Sequence, residues 1–170
     1  MLCGIYCAAR LIARYTVADR ANAKTQRATY ENAAQNAFNN LIQSAEDLKL
    51  LKAKKIAHKY GGYYDYEIER IFNNLTPRKR RNLNALAFSG TIFKHLLDSQ
   101  RRDLIINLGC NAIVEQHGRK HWITVEGNHP DGGYECFDPQ LTDNISRRKR
   151  LTWDRGVLIS RKPLHEMISA

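Results

Sequence analysis

Proline is scarce in this 170-residue chain, with four in all, and glycine is modest at ten. With no repeat and no low-complexity tract, that excludes a fibrous or polyproline-rich protein. Cysteine is also too sparse for a disulfide scaffold: four residues, at Cys3, Cys7, Cys110 and Cys136. Small secreted domains that depend on disulfides carry a denser set. These therefore read as reduced thiols that work in a cytosol, that of the producing cell or of a target cell. No apolar run approaches the roughly 18–20 residues a membrane helix needs. The segment from Met1 to Arg10 lacks the basic start, long apolar stretch and small-residue cleavage site of a signal peptide, so export would need another route. Acidic residues are in short supply as well, with 17 Asp and Glu against 27 Lys and Arg, a formal net charge of +10. What remains is ample apolar material, 43% of residues, which excludes a disordered chain and supports one domain with one core over residues 1–170. The excess charge points to nucleic acid, an acidic partner, an acidic membrane surface, or a solvated basic surface.

Along the chain the pattern changes once. From Ile5 to about His58 the sequence favours helix and contains no proline. Leu41, Ile42, Ala45, Leu48 and Ile56 recur at roughly helical spacing, with charged residues between them. Gly61 and Gly62 provide a stop, and Tyr66 to Asn73 reads as a second helical stretch. Thr76 and Pro77 look like an N-cap and first helical residue, which predicts helix to about Asp98 with an interruption near Gly90. After Asp103 the apolar residues are largely β-branched, as in Ile105, Ile106, Ile113 and Val114, and strands are expected. His121 to Glu126 and Tyr134 to Asp138 flank a strong turn signal at Asn128 to Gly133, a β-hairpin. Asn144 to Arg150 reads as a basic loop and Val157 to Ser160 as a last strand. Helices followed by a mostly antiparallel sheet make an α+β fold.

Two segments carry chemistry. Cys3-Gly4 opens the first helix, where the positive end of the macrodipole lowers a thiol pKa and free backbone N–H groups can hold an oxyanion. His121 opens one hairpin strand and Asp138 closes the other, so antiparallel pairing brings their ends together. Asp138 would fix the imidazole while the other ring nitrogen faces a thiol, the Cys–His–Asp form of triad catalysis. This chemistry needs no cofactor and no metal.

In this order of residues the sequence resembles the papain-like cysteine peptidase fold: Cys at a helix start, then His, then Asp on the following strand. His121-Trp122 followed by Asp138-Pro139 is most similar to bacterial members, including bacteriocin-processing peptidases, toxin domains and injected effectors. The resemblance implies a papain-like α+β domain, with N-terminal helices packed on a C-terminal antiparallel sheet. It implies a cysteine-dependent hydrolase, a peptidase, glutamine deamidase or acyltransferase, acting on a protein or peptide as a bacterial toxin or effector, with an inhibitor or immunity protein among its partners. Cys3, His121 and Asp138 would be catalytic, with Gly4 and Trp122 beside the site. The helical region 17–100 has no counterpart in the family. The glutamine that usually precedes the nucleophile has no equivalent, since only Met1 and Leu2 stand before Cys3, and Gln140 lies near the site without an assigned role. A start so close to the nucleophile is the pattern of a processed or excised domain.

Plainer readings stand beside these. A free cysteine is ordinarily a buried small hydrophobe, which suits Cys110 and Cys136; Cys7, one helical turn after Cys3, is either core or the alternative nucleophile. Trp122 reads first as a core aromatic. Cys3, Cys7, Cys110, Cys136, His117 and His121 have the right chemistry for zinc, but not the short Cys–Cys spacing of structural sites, and no metal is assigned. The runs Arg78-Lys79-Arg80-Arg81 and Arg147-Arg148-Lys149-Arg150 suit an acidic protein partner, an inhibitor or a membrane surface, or a solvated face. Nucleic acid is the less favoured partner, because no recognised nucleic-acid-binding signature accompanies them. A non-enzymatic basic binding protein is the competing class.

Overall fold

Helix α1, Cys3–Asp19, is buried on nearly every side except at Tyr6, Arg10 and its C-terminal turn, because small residues (Gly4, Ala8, Ala9, Ala13) alternate with Ile5, Leu11 and Ile12. A helix that is apolar almost all round belongs in the middle of a fold. Here α1 lies between the sheet and a second helix, α2, Gln26–Asp47. In the computed structural model, residues 2–19, 26–51, 62–89, 111–116, 121–139, 145–148 and 155–161 are described.

The long N-terminal helical stretch gives two helices among the described residues. Helix α2 stops at Asp47, and Lys49 takes a left-handed conformation (φ 57°). The N–H of Leu50 returns to the Ala45 carbonyl at 2.7 Å and that of Lys49 to Glu46 at 2.9 Å, which satisfies the last carbonyls. Gly61 and residues 52–60 lie outside the described residues. Helix α3, Asp65–Asn73, matches its predicted span, with Asp65 and Glu67 at its positive end and the Tyr64 N–H donating to Glu67 Oε1 at 2.9 Å.

Up to Ser89 the helix predicted from Thr76 to about Asp98 is instead a tight turn and a strand, and residues 90–98 lie outside the described residues. Arg81 and Asn82 are both left-handed (φ 56° and 58°), and the chain reverses there into β1, Asn84–Ser89. The local sequence Asn-Ala-Leu-Ala-Phe-Ser has no strong strand preference, and long-range pairing decides its state. One side of β1 is paired to β6 and the other to side chains of α3. Asn73 both donates to the Ala85 carbonyl (2.8 Å) and accepts from its N–H (2.9 Å), which covers the sheet edge.

The remaining strands are β2 (Asn111–Gln116), β3 (His121–Asn128), β4 (Tyr134–Phe137), β5 (Ile145–Arg148) and β6 (Arg155–Ser160). They form one six-stranded sheet in the order β1-β6-β2-β3-β4-β5, with every described pair antiparallel. Helices first and antiparallel sheet second is the expected α+β arrangement. Two differences matter. The expected basic loop contains β5, which continues the hairpin as an edge strand against β4. The last strand, β6, does not extend the sheet but enters it between β1 and β2. The core beneath the sheet joins Ile5, Leu11, Leu41, Ile68, Phe72, Trp122 and Ile159. Among the described residues no helix is long and apolar enough to cross a membrane.

Candidate active site

The hairpin is built by its turn. Gly132 and Gly133 adopt φ 89° and 81°, conformations that L side chains resist, and the His129 N–H donates the closing bond to the Gly133 carbonyl at 3.1 Å. From there Val125 pairs with Cys136 and Thr124 with Phe137. Continued one step, the register sets Asp138 beside Ile123, on the face of β3 that also carries His121. The side chains meet: His121 Nε2 lies 2.7 Å from Asp138 Oδ1, and both residues are buried. A carboxylate oxygen only accepts, so Nε2 carries the proton in this bond. The other ring nitrogen, Nδ1, is buried and has no hydrogen-bond partner among the described residues.

Cys3 begins α1 and is 4% exposed. Burial pushes its thiol above the ordinary cysteine range and the charge of Asp138 adds to this, whereas a backbone hydrogen bond from Trp122 favours the thiolate. The direction is opposite to the lowering expected from the helix start, because loss of water outweighs backbone stabilisation at this depth. The sulfur thus lies against the main chain of Trp122, the residue that follows His121. Cys7 sits deeper: it is fully buried, its thiol is pushed well above the ordinary range by burial, and its Sγ donates to the Trp122 carbonyl at 3.4 Å. Both cysteines of the first segment therefore converge on one residue of β3.

Gly4 and Trp122 explain how α1 comes so close. A Cβ at Gly4 would fall 2.5 Å from Ile68 Cδ1 and 3.3 Å from Trp122 Cδ1, so no side chain fits there without displacement. Trp122 is a core aromatic, as read, and its indole N–H donates to the Tyr63 carbonyl at 2.9 Å. Gln140 and Cys110 lie outside the described residues, as do His117, Lys149 and Arg150. Cys136 is a buried thiol on β4. No group of three or more metal-ligating side chains gathers among the described residues. Comparison with family models, with curated proteins and with solved structures finds no match.

A second polar constellation went unread in the sequence. Arg10 on α1 holds Glu126 of β3 with two bonds, 2.7 Å from Nε and 3.2 Å from Nη2, and Arg14 adds a contact at 3.0 Å. Arg10 also donates to the Tyr30 hydroxyl at 2.7 Å and covers the Phe137 ring at 4.4 Å. Glu126 follows Trp122 and Thr124 at alternate positions of β3, and the strand bulges at it: Val125 pairs with Cys136 and Gly127 with Glu135, leaving Glu126 as the extra residue. The available signal was a lone arginine in the apolar run Cys7–Ala13 and a lone glutamate ending His121–Glu126. Buried charges of opposite sign must find one another.

Proposed function

We propose that this chain is a cysteine-dependent hydrolase of papain-like arrangement, with Cys3 as nucleophile, His121 as general base and Asp138 as the residue that orients the imidazole. The observation that carries the reading is the buried His121–Asp138 bond, whose second ring nitrogen has no partner among the described residues, with a Cys3 thiol that feels the Asp138 charge and the backbone of Trp122. Buried polar atoms without partners are rare, and an imidazole nitrogen left so while the other is held by a carboxylate is fit to take up a proton.

In this mechanism Nδ1 accepts the Cys3 proton as Sγ attacks a carbonyl or carboxamide carbon. The carbon–oxygen π electrons move to oxygen, where N–H groups at the start of α1 stabilise the charge. Collapse breaks the carbon–nitrogen bond, and His121 returns its proton to the leaving nitrogen. Water then attacks the thioester, gives a proton to His121, and releases the acid and the free thiol. Because burial keeps the resting thiol neutral, the proton moves during attack rather than beforehand. The substrate class is a protein or peptide, cleaved at a peptide bond or deamidated at glutamine. Resemblance places such an enzyme among bacterial toxins and effectors, a fold-level analogy. Cys7 is the weaker nucleophile, being wholly enclosed with its Sγ bonded to a carbonyl.

The competing reading is a basic binding protein in which His121 and Asp138 are a structural pair, favoured by their depth in the fold. Iodoacetamide labelling at pH 7, read cysteine by cysteine by mass spectrometry, separates the two. Cys3 is expected to label fastest, and His121→Ala to slow it by at least about tenfold, the low end of general-base assistance. Equal, slow labelling of all four cysteines, unchanged in His121→Ala, overturns the catalytic reading.

A further inference from the structure

The run Arg78-Lys79-Arg80-Arg81 divides its labour. Arg80 turns back onto the end of α3, donating to the carbonyls of Asn73 (2.6 Å) and Leu75 (3.0 Å). Arg81 pairs with Asp19 at 2.6 Å. Arg78 and Lys79 are exposed, and their side chains make no hydrogen bond or ion pair with the described residues. These two line a groove of about 500 Å³ between α1, α2 and the turn that carries them.

The groove has a distinct chemistry. Its floor is apolar, from Ile12 and Ala37, both at most 3% exposed. One wall is a row of carboxamides, Asn32, Asn36 and Asn40, none of them hydrogen-bonded to a described residue. Among the described residues no aspartate or glutamate lines it. Residues four apart on a helix share a face and rise about 6 Å per step. Alternate residues of an extended peptide are spaced about 6.6–6.8 Å apart. A carboxamide both donates and accepts, so each Asn can pair with the N–H and C=O of every second peptide unit. The spacing thus suits a strand-like chain lying along α2, with alternate side chains over the apolar floor and its acidic residues toward Arg78 and Lys79.

We propose that this groove is a docking site for an extended acidic peptide segment of another protein. It does not rest on the catalytic reading. Ile12 stands nine residues along α1 from Cys3, about 13 Å at helical rise, so the groove is separate from the thiol. A backbone-reading wall gives affinity for any extended chain, and the two exposed cations select acidic ones. Nucleic acid would use the cations and have no need of the carboxamide row.

The test is fluorescence anisotropy of the whole chain with a fluorescein-labelled ten-residue peptide of alternating Glu and Thr. The Glu–Thr peptide is expected to bind, and to bind at least tenfold more weakly when salt is raised from 50 to 300 mM. The peptide with Lys in place of Glu is expected not to bind. Asn36→Leu and the double variant Arg78→Glu/Lys79→Glu are each expected to weaken binding at least fivefold while melting at the wild-type temperature, since these side chains are exposed. Absence of binding overturns the proposal, and so does binding unaffected by Asn36→Leu. A ten-nucleotide single strand that displaces the peptide, and depends on Arg78 and Lys79 but not on Asn36, overturns it in favour of a phosphate-binding surface.

Discussion

The two thiols of α1 differ in depth, and depth decides their chemistry. Cys3 lies at the helix start against a backbone N–H, whereas Cys7 is fully enclosed and bonded to a carbonyl oxygen. Both are held above the ordinary thiol range by burial, Cys7 much the further. The sign of the consequence follows from proton counting. Above about pH 8.5 an unfolded cysteine loses its proton while folded Cys7 keeps it, so the unfolded state binds fewer protons and stability falls as pH rises. The contribution is whole below that pH, and declines by up to about 1.4 kcal/mol per pH unit until the folded thiol ionises. In urea titrations between pH 7 and 10, Cys7→Ala is expected to start about 1 kcal/mol less stable, from lost packing and the lost bond, and to lose less on the way up. Parallel losses in wild type and variant would show that Cys7 does not drive the alkaline limb. At this scale His121 and Asp138 were legible from order alone, because a hairpin with a strong turn brings its two open ends together. The direction of the Cys3 shift was not legible, since burial is a property of the packed helix and not of its first residues.

Between elements, the decisive bond is the one that fastens α1 to β3. Glu126 is 2% exposed at its side chain and faces Arg10 at 17%, so this is a mostly desolvated pair. Such a pair adds little over a hydrophobic contact of equal volume, yet removing one partner strands the other. Glu126→Gln is expected to cost about 3 kcal/mol in urea denaturation, because Arg10 and Arg14 then share no buried anion. The double variant Arg10→Met/Glu126→Met is expected to recover most of that loss. If the double variant is as unstable as the single one, the pair is not what holds the helix on the sheet. The same elements show why parts of the fold were readable. Helix α3 and the β3–β4 hairpin carry their own local signals, acidic residues at the helix start and Gly132-Gly133 at the turn. Strand β1 carries none. Its alanines and leucine prefer helix, and only pairing with β6 and the Asn73 side chain on its free edge make it a strand.

Across the whole molecule, the basic excess that dominates the composition is not one surface. Part of it is consumed in holding distant segments together, as at Asp19, the last residue of α1. Its carboxylate receives Arg81 from the turn before β1 and Arg161 from the end of β6, each at 2.6 Å. Arg161 also donates to the Arg81 carbonyl at 3.1 Å and covers the Tyr15 ring at 4.8 Å. No sequence pattern pairs residues 19, 81 and 161, which meet only because β6 returns to the middle of the sheet. Hydrogen bonds from the two guanidiniums, Arg161 first, hold the Asp19 carboxyl below the ordinary carboxylate value. That stabilisation is present above the unfolded carboxyl pKa of about 3.9 and is lost as pH falls through the lower folded value. The cluster is partly exposed, with Asp19 at 28%, so solvent and salt keep its worth near the surface-pair range. Asp19→Asn is therefore expected to be less stable than wild type by up to about 1 kcal/mol at pH 7. Thermal melts should show that gap shrinking below pH 4, as the wild-type carboxyl takes up its proton, and in 1 M salt. A gap constant from pH 7 to pH 2 would mean that the change acts through packing at the end of α1 and not through the charge that joins three segments of the chain.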